Sequence, residues 1–283
     1  MGHNDRSIFA DRNGFNEKNF RHLYNMGVKK SMKDLIIKGG GEAYLPSLSL
    51  DCVIFGFHEN QLKVLLLKFK NLDVWALPGG FVFKDEDVAD AARRVLQERT
   101  GLTEIFLQQF NVFGNAKRTD LNLHKQLLKK DGVNLHRDHW LLRRFVTIGY
   151  YALVEYSYVN PQPDVFSDEC TWRDINDLPK MMMDHHDILI KALETLRSHL
   201  NYHPIGYNLL PEKFTMPQLQ KLYETILGKE LDRRNFQRKI LSYGIVRRLK
   251  EVKKGGAHKA PYLYSFDVRK YQQALKESLQ GGW

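Results

Sequence analysis

The stretch from Leu77 to Leu102, LPGGFVFKDEDVADAARRVLQERTGL, constrains this chain more than any other. A loop with two glycines delivers the chain into a helix, expected over about 86–100, which Gly101 stops. Val88, Ala91, Ala92, Val95 and Leu96 recur at helical spacing and form one apolar stripe directed at a core. Residues 95, 98 and 99 are related by steps of three and four, so they share a face. That face offers one carboxylate, Glu98, beside a fixed cation, Arg99. A hard divalent ion needs oxygen ligands, and arginine supplies none. No metal is therefore expected here. Glu86 and Arg94 read as an architectural pair that braces the loop.

The same residues carry a resemblance. Gly80, Glu86, Arg94, Leu96, Glu98, Gly101 and Leu102 fall on the Nudix hydrolase signature G-x5-E-x7-R-E-U-x-E-E-x-G-U, where U is a bulky aliphatic residue. Val95 and Arg99 stand where the signature has glutamates. Nudix enzymes hold Mg2+ or Mn2+ on this helix, and the metal activates a water against a diphosphate. The chain thus resembles a Nudix domain with a stripped catalytic helix, which implies no catalytic residue, no metal, no cofactor and no enzyme activity.

Composition sets the outer bounds. The chain has 283 residues, a length that favours two domains. Its 43% hydrophobic and 27% charged content fits a soluble globular protein. No run approaches the roughly 18 apolar residues of a membrane span. The N-terminus lacks the apolar segment of a signal peptide. Cys52 and Cys170 have no metal or disulfide spacing, so a reducing, cytoplasmic setting is expected. The net charge of +10 is unevenly spread: residues 203–283 carry 16 Lys+Arg against 7 Asp+Glu, and the remainder is almost neutral. A basic C-terminal part suits a polyanionic partner.

In chain order, residues 1–46 read as an N-terminal extension, with a short helix near 17–26 and a break at Gly39-Gly40-Gly41. Residues 47–202 read as one domain. LSLDCVIFGF and QLKVLLLKF flank His58-Glu59-Asn60 as a β-hairpin. Further strands are expected over 104–113 and 146–156, and a helix over about 185–200 with Asp184 as its N-cap. A basic insertion occupies about 117–144 and contains His124, His136 and His139. His136-x-x-His139 has metal-pair spacing but lacks a third ligand.

Residues 203–283 read as a winged helix-turn-helix domain. Thr215-Met-Pro-Gln218 is a capping box. Leu219, Leu222, Tyr223 and Ile226 form the buried stripe of the helix that follows, and Gly228 ends it. Asp232 caps a second, basic helix whose Phe236, Ile240 and Tyr243 face inward. Arg234, Asn235, Arg238 and Lys239 are left for solvent. Two strands, 245–249 and 262–266, flank a basic tip, Lys253-Lys-Gly-Gly-Ala-His-Lys259. Helix, turn, basic helix and basic hairpin is the order of a winged helix.

A stripped Nudix domain followed by a winged helix resembles the Nudix-related transcriptional regulators of bacteria. Pro204–Pro211, Phe214-Thr215 and Arg234-Asn235-Phe236 look like that family's linker and recognition helix, as do Trp75–Val82 and Tyr150–Leu153 in the first domain. The resemblance implies an α+β fold: a Nudix-like α/β/α sandwich with a mixed sheet, then a winged helix. It also implies a homodimeric, ligand-responsive repressor of sugar or NAD metabolism genes on a double-stranded DNA operator. The effector implied is a pentose such as arabinose or another sugar, and after that ADP-ribose. The alternative is an active ADP-ribose-type Nudix pyrophosphohydrolase with a basic accessory domain. Expected DNA contacts are Arg233, Arg234, Asn235, Arg238 and Lys239 on the helix, with Lys253, Lys254 and Lys259 at the tip. Expected effector contacts are Lys68, Trp75, Arg144 and Tyr151.

Overall fold

The computed structural model describes residues 33–277 except 71, 104, 119–124, 127, 128, 130–134, 137, 201–204 and 254–259. The helix expected near 17–26, His124, and tip residues Lys254 and Lys259 lie outside the described residues.

The first sheet has seven strands and is built on β1 (Tyr44–His58). One edge of β1 runs parallel to β6 (Val146–Glu155), from Leu48↔Val146 to Phe57↔Glu155. Its other edge is shared. Residues 55–58 pair antiparallel with β2 (Gln61–Phe69), and residues 49–51 pair with β4 (Gly79–Phe83). Between these, β3 (Trp75–Ala76) pairs with β2 at Leu67 and Lys68. β5 (Phe106–Phe113) adds to β6, and β7 (Ser167–Asp174) adds to the free edge of β2. The β1–β2 turn consists of Glu59 and Asn60, both at positive φ, the geometry that suits the twist of a two-residue hairpin.

Strand alternation sorts the sheet's side chains into two layers. Leu50, Cys52 and Ile54 face α1 (Val88–Thr100) and pack against Ala91, Ala92, Val95 and Leu96. Val53 and Phe55 face the other way, toward Ile188, Leu189, Ala192 and Leu196 of α2 (His185–His199). A helix on each face is the α/β/α sandwich expected. The α1 helix begins two residues later than the periodicity suggests. Glu86 folds back to accept from the Phe83 N–H, and Asp87 takes an extended backbone as N-cap.

Two local expectations need correction. Gly39–Gly41 is not a break: Leu35–Gly39 and Gly40–Ala43 are consecutive helical turns. The ring of Trp140 lies so close over Gly40 that a Cβ there would collide with it, and its indole N–H donates to the Ile36 carbonyl. The glycine is thus needed for packing. Asp184 occupies the N-cap position of α2, but its side chain caps nothing and is spent on an arginine described below.

The second sheet is a three-stranded β8-β10-β9 ribbon made of Phe214–Thr215 (β8), Tyr262–Phe266 (β10) and Val246–Val252 (β9). Three helices accompany it: α3 (Met216–Leu227), α4 (Arg233–Ser242) and α5 (Val268–Glu277). The Thr215–Gln218 capping box is present in both directions, and Asp232 caps α4 by accepting from the Asn235 N–H at 2.8 Å. β8 and α5 have no counterpart in the periodicity-based reading.

The two sheets share one core. Tyr151 and Leu153 of β6, Leu193 and Leu196 of α2, and Leu222 and Ile226 of α3 belong to a single buried cluster. Arg197 of α2 donates to the Ile226 carbonyl at 2.7 Å, and the Thr225 hydroxyl donates to the Asn60 carbonyl at the hairpin turn. The described part of the connecting segment is packed in place: Ile205, Leu209 and Leu210 are buried. Replacing fully buried Leu222 with alanine should cost about 2–5 kcal/mol. Because the core is continuous, thermal melting followed by circular dichroism should show one cooperative transition displaced as a whole. Two transitions, of which only one moves, would refute the shared core.

Candidate functional site

The shared edge of β1 creates a cavity. β1 and β2 separate beyond the Phe55–Val64 pair, and β3 and β4 attach to the diverging strands. The cavity, about 180 Å³, opens between them. Its strand walls include Leu50 and Asp51 of β1, Leu67 and Phe69 of β2, and Gly80 and Phe81 of β4. The end of the insertion contributes Leu141, Arg143 and Phe145, and the segment before α2 contributes Met182 and Met183. Gly79 has no room for a side chain, since a Cβ would lie 2.7 Å from the Leu50 carbonyl oxygen. At Gly80 a Cβ would lie 2.7 Å from Val95 Cγ2, which locks the glycine loop onto α1.

A buried polar cluster closes the cavity floor. The Arg118 guanidinium binds the Asp184 carboxylate with two hydrogen bonds of 2.8 and 2.9 Å and donates to the Phe145 carbonyl at 3.1 Å. Asp51 approaches the same guanidinium at 3.7 Å. His185 Nδ1 accepts from the Leu77 N–H at 3.0 Å, leaving its other nitrogen facing Asp51 at 3.7 Å. Each charge is compensated from a different element, and this is the condition under which buried ions are tolerated. Burial pushes the His185 pKa below its ordinary 6.5, against the pull of Asp51 and Asp184.

None of the four expected effector contacts lines this cavity. Lys68 and Trp75 lie on strands whose neighbours, Leu67, Phe69 and Ala76, do line it, so alternation turns the expected pair to the opposite face. There Lys68 pairs with Glu169 at 3.2 Å, and both Lys68 and Arg173 lie over the Trp75 ring. Tyr151 is wholly buried on the α2 side and bonds His199 at 2.7 Å. Arg144 donates to the Gly114 carbonyl, whereas its neighbour Arg143 reaches the cavity. Residues that sequence reasoning missed, above all Arg118 and Asp184, come together across a separation of 66 positions that no local pattern signals.

Arg94 forms a two-bond pair with Glu86, both at 2.8 Å, and donates to the Phe81 carbonyl, bracing the glycine loop. Val95 is buried in the core. Glu98 is held between Arg94 at 3.5 Å and Arg99 at 3.2 Å. Glu98 therefore already has two cationic partners. His139 spends Nδ1 on the Leu141 N–H and Nε2 on the Ile37 carbonyl, so His136 and His139 do not form a metal pair.

On α4, Phe236 and Ile240 are buried, with Phe236 edge-on to Tyr223 at 5.4 Å. Arg233, Arg234, Asn235 and Arg238 are exposed together, and Arg238 donates to the Asn235 side chain at 2.9 Å. Lys239 is a partial exception to the expected solvent face: it is half-buried, and burial lowers its pKa. On the hairpin, Arg248 stacks over Tyr262 and Arg247 donates to Ser265, while Lys250 and Lys253 are exposed.

Comparison with known proteins agrees with this geometry. The NUDIX domain model matches residues 46–193, and the model for the NrtR DNA-binding winged helix domain matches residues 206–266. The chain belongs to the Nudix-related regulators. One relative, described as an ADPR responsive transcriptional repressor from Acinetobacter baylyi, is 31% identical over 233 residues, covering 80% of this chain and 84% of the relative. Another, an ADP-ribose pyrophosphatase from Methanocaldococcus jannaschii, is 27% identical over 168 residues, covering 58% of this chain and 86% of its own. The solved structure of Shewanella oneidensis NrtR complexed with a 27mer DNA is similar at a TM-score of 0.63 and 27% identity, covering 80% of this chain and 95% of that one. Among the described residues of this regulator, no helix is long and apolar enough to cross a membrane.

The His185 pKa yields a prediction for the regulator's stability. A histidine whose pKa is lower when folded makes the unfolded state the better proton binder, so stability falls as pH drops below about 6.5. Urea midpoints measured between pH 7.5 and 5.5 should fall in the wild type and flatten in His185→Gln, whose amide oxygen can still accept from Leu77. Equal pH slopes in the two proteins would exclude His185 as the source.

Proposed function

We propose that this regulator is an ADP-ribose-responsive repressor that binds operator DNA as a homodimer and does not hydrolyse its effector. The observation that carries the reading is the exposed set Arg233, Arg234, Asn235 and Arg238 on one helix of a winged-helix core. The likenesses to the Acinetobacter repressor and to DNA-bound NrtR support it. Residues 47–202 act as the sensing domain and 203–283 as the DNA-binding domain. The response to ADPR in the repressor's description moves ADP-ribose ahead of the pentose that the sequence alone favoured. The target genes are those of NAD or sugar metabolism, and the setting is the cytoplasm.

In this reading α4 enters the major groove. Arg234, Asn235 and Arg238 reach base edges, with the Arg238–Asn235 bond orienting both side chains. Arg233, Lys239 and the tip residues Lys253, Lys254 and Lys259 approach phosphates. The effector site is the cavity between β1 and β2. The two-fold axis of the dimer sets the spacing of the half-sites.

In gel-shift titrations against its own upstream regions, Arg234→Ala should lose about 1–3 kcal/mol of discrimination. Lys253→Ala should weaken all sequences alike and reduce the salt slope by about one. Unchanged affinity in both variants would remove the assignment. Saturating ADP-ribose should shift operator affinity by roughly 5–150-fold.

The likeness to the archaeal pyrophosphatase keeps hydrolysis in view as a second reading. Against it stand Val95 and the twice-paired Glu98. Incubation with ADP-ribose and Mg2+ or Mn2+ should give no product above background. Turnover that Glu98→Gln abolishes would establish the enzyme instead.

A further inference from the structure

The cavity is not uniform in polarity. Its floor charges are mutually compensated: Arg118 gives three of its five N–H donors to Asp184 and Phe145, and Asp51 faces Arg118 and His185. That floor holds two carboxylates and one guanidinium, so it has no surplus positive charge for an anion. Above it the walls are largely apolar, with the phenyl rings of Phe69, Phe81, Phe145 and Phe166. The remaining cations are Lys70, half-buried, and Arg143, exposed. Lys70 gives one hydrogen bond to the Val165 carbonyl at 3.0 Å, which leaves further donors on its ammonium. Among the described residues, no side-chain hydrogen bond or ion pair occupies Arg143. Asp164, the other carboxylate of the wall, accepts from the Phe166 N–H and keeps its charge, so with Lys70 and Arg143 the wall carries one net positive charge.

An apolar, aromatic interior with cations toward solvent selects a ligand with a flat ring at one end and an anionic group next to it. At about 180 Å³ the enclosed space is smaller than the ~300–1,000 Å³ of a site that encloses a whole drug-sized ligand. It takes one ring system and leaves the rest outside. We propose that Arg143 and Lys70 form a cationic rim that holds the phosphate groups of a nucleotide-type effector, with one of its rings among the phenylalanines and with side chains neutralising the charge in place of a divalent ion. The proposal rests on the assignment of this cavity as the effector site. Arg143 belongs to the 117–144 insertion, so the segment inserted into the Nudix frame supplies a specificity determinant. Arginine suits the role, since its planar fork matches two phosphate oxygens at once.

The test is calorimetry on the full chain with ADP-ribose, AMP, adenosine and arabinose, each with and without EDTA. ADP-ribose and AMP should bind with affinities that EDTA leaves unchanged, and adenosine and arabinose should bind at least tenfold more weakly. Arg143→Ala and Lys70→Met should each weaken the phosphate-bearing ligands by on the order of tenfold or more. Arg144→Ala, one residue away and outside the cavity, should leave them unchanged and serves as the positional control. AMP binding without ADP-ribose binding would overturn ADP-ribose as effector and leave the rim intact. Equal binding of AMP and adenosine, a requirement for added Mg2+, unchanged affinity in both rim variants, or no binding by any of the four compounds would overturn the rim.

Discussion

The architecture depends on the pairing of one strand. β1 is 15 residues long and carries hydrogen-bonding groups on both edges, nearly all of which need partners once buried. A single parallel strand, β6, satisfies one edge along ten residue pairs. The other edge is divided between two antiparallel strands, and the place where they separate is the cavity. The opening is therefore a by-product of how backbone donors and acceptors are satisfied, and strand ends and glycine backbone form part of its walls. This is why Gly79 and Gly80 face obstructions 2.7 Å away. The glycines of the motif allow the loop to lie flat against β1 and α1.

The helix beneath that loop is held by packing and ion pairs. Val95 is part of the core, and Arg99 pairs with Glu98. The bracing pair Glu86–Arg94 is kept, because it holds the loop whether or not chemistry occurs there.

Much of the fold was legible because it is written in periodicity. The two apolar runs in 47–69 and the His58-Glu59-Asn60 break between them specify the hairpin. The stripe through Val88, Ala91, Val95 and Leu96 specifies the helix, and the Thr215–Gln218 box specifies the start of α3. The cavity was legible only to within a residue. Lys68, Trp75 and Arg144 sit next to Phe69, Ala76 and Arg143, which line it, and in extended chain one position is the difference between opposite faces. Tyr151 lies instead in the core on the α2 side, where it bonds His199. The Arg118–Asp184 pair was beyond reach for another reason. A charged residue in a basic insertion reads as surface, and only the tertiary fold brings a carboxylate to it. β8 was missed because two residues are too few to show a period.

The helix α2 has a mechanical consequence. Asp184 and His185 at its start are tied to the cavity floor, and Arg197 near its end is tied to the last turn of α3. Its 15 residues make a rod about 22 Å long. A rigid rod passes a tilt at one end on to the other. A tilt of about 5° at the cavity sweeps the far end through about 2 Å over that length. The helix is thus a lever arm common to both lobes.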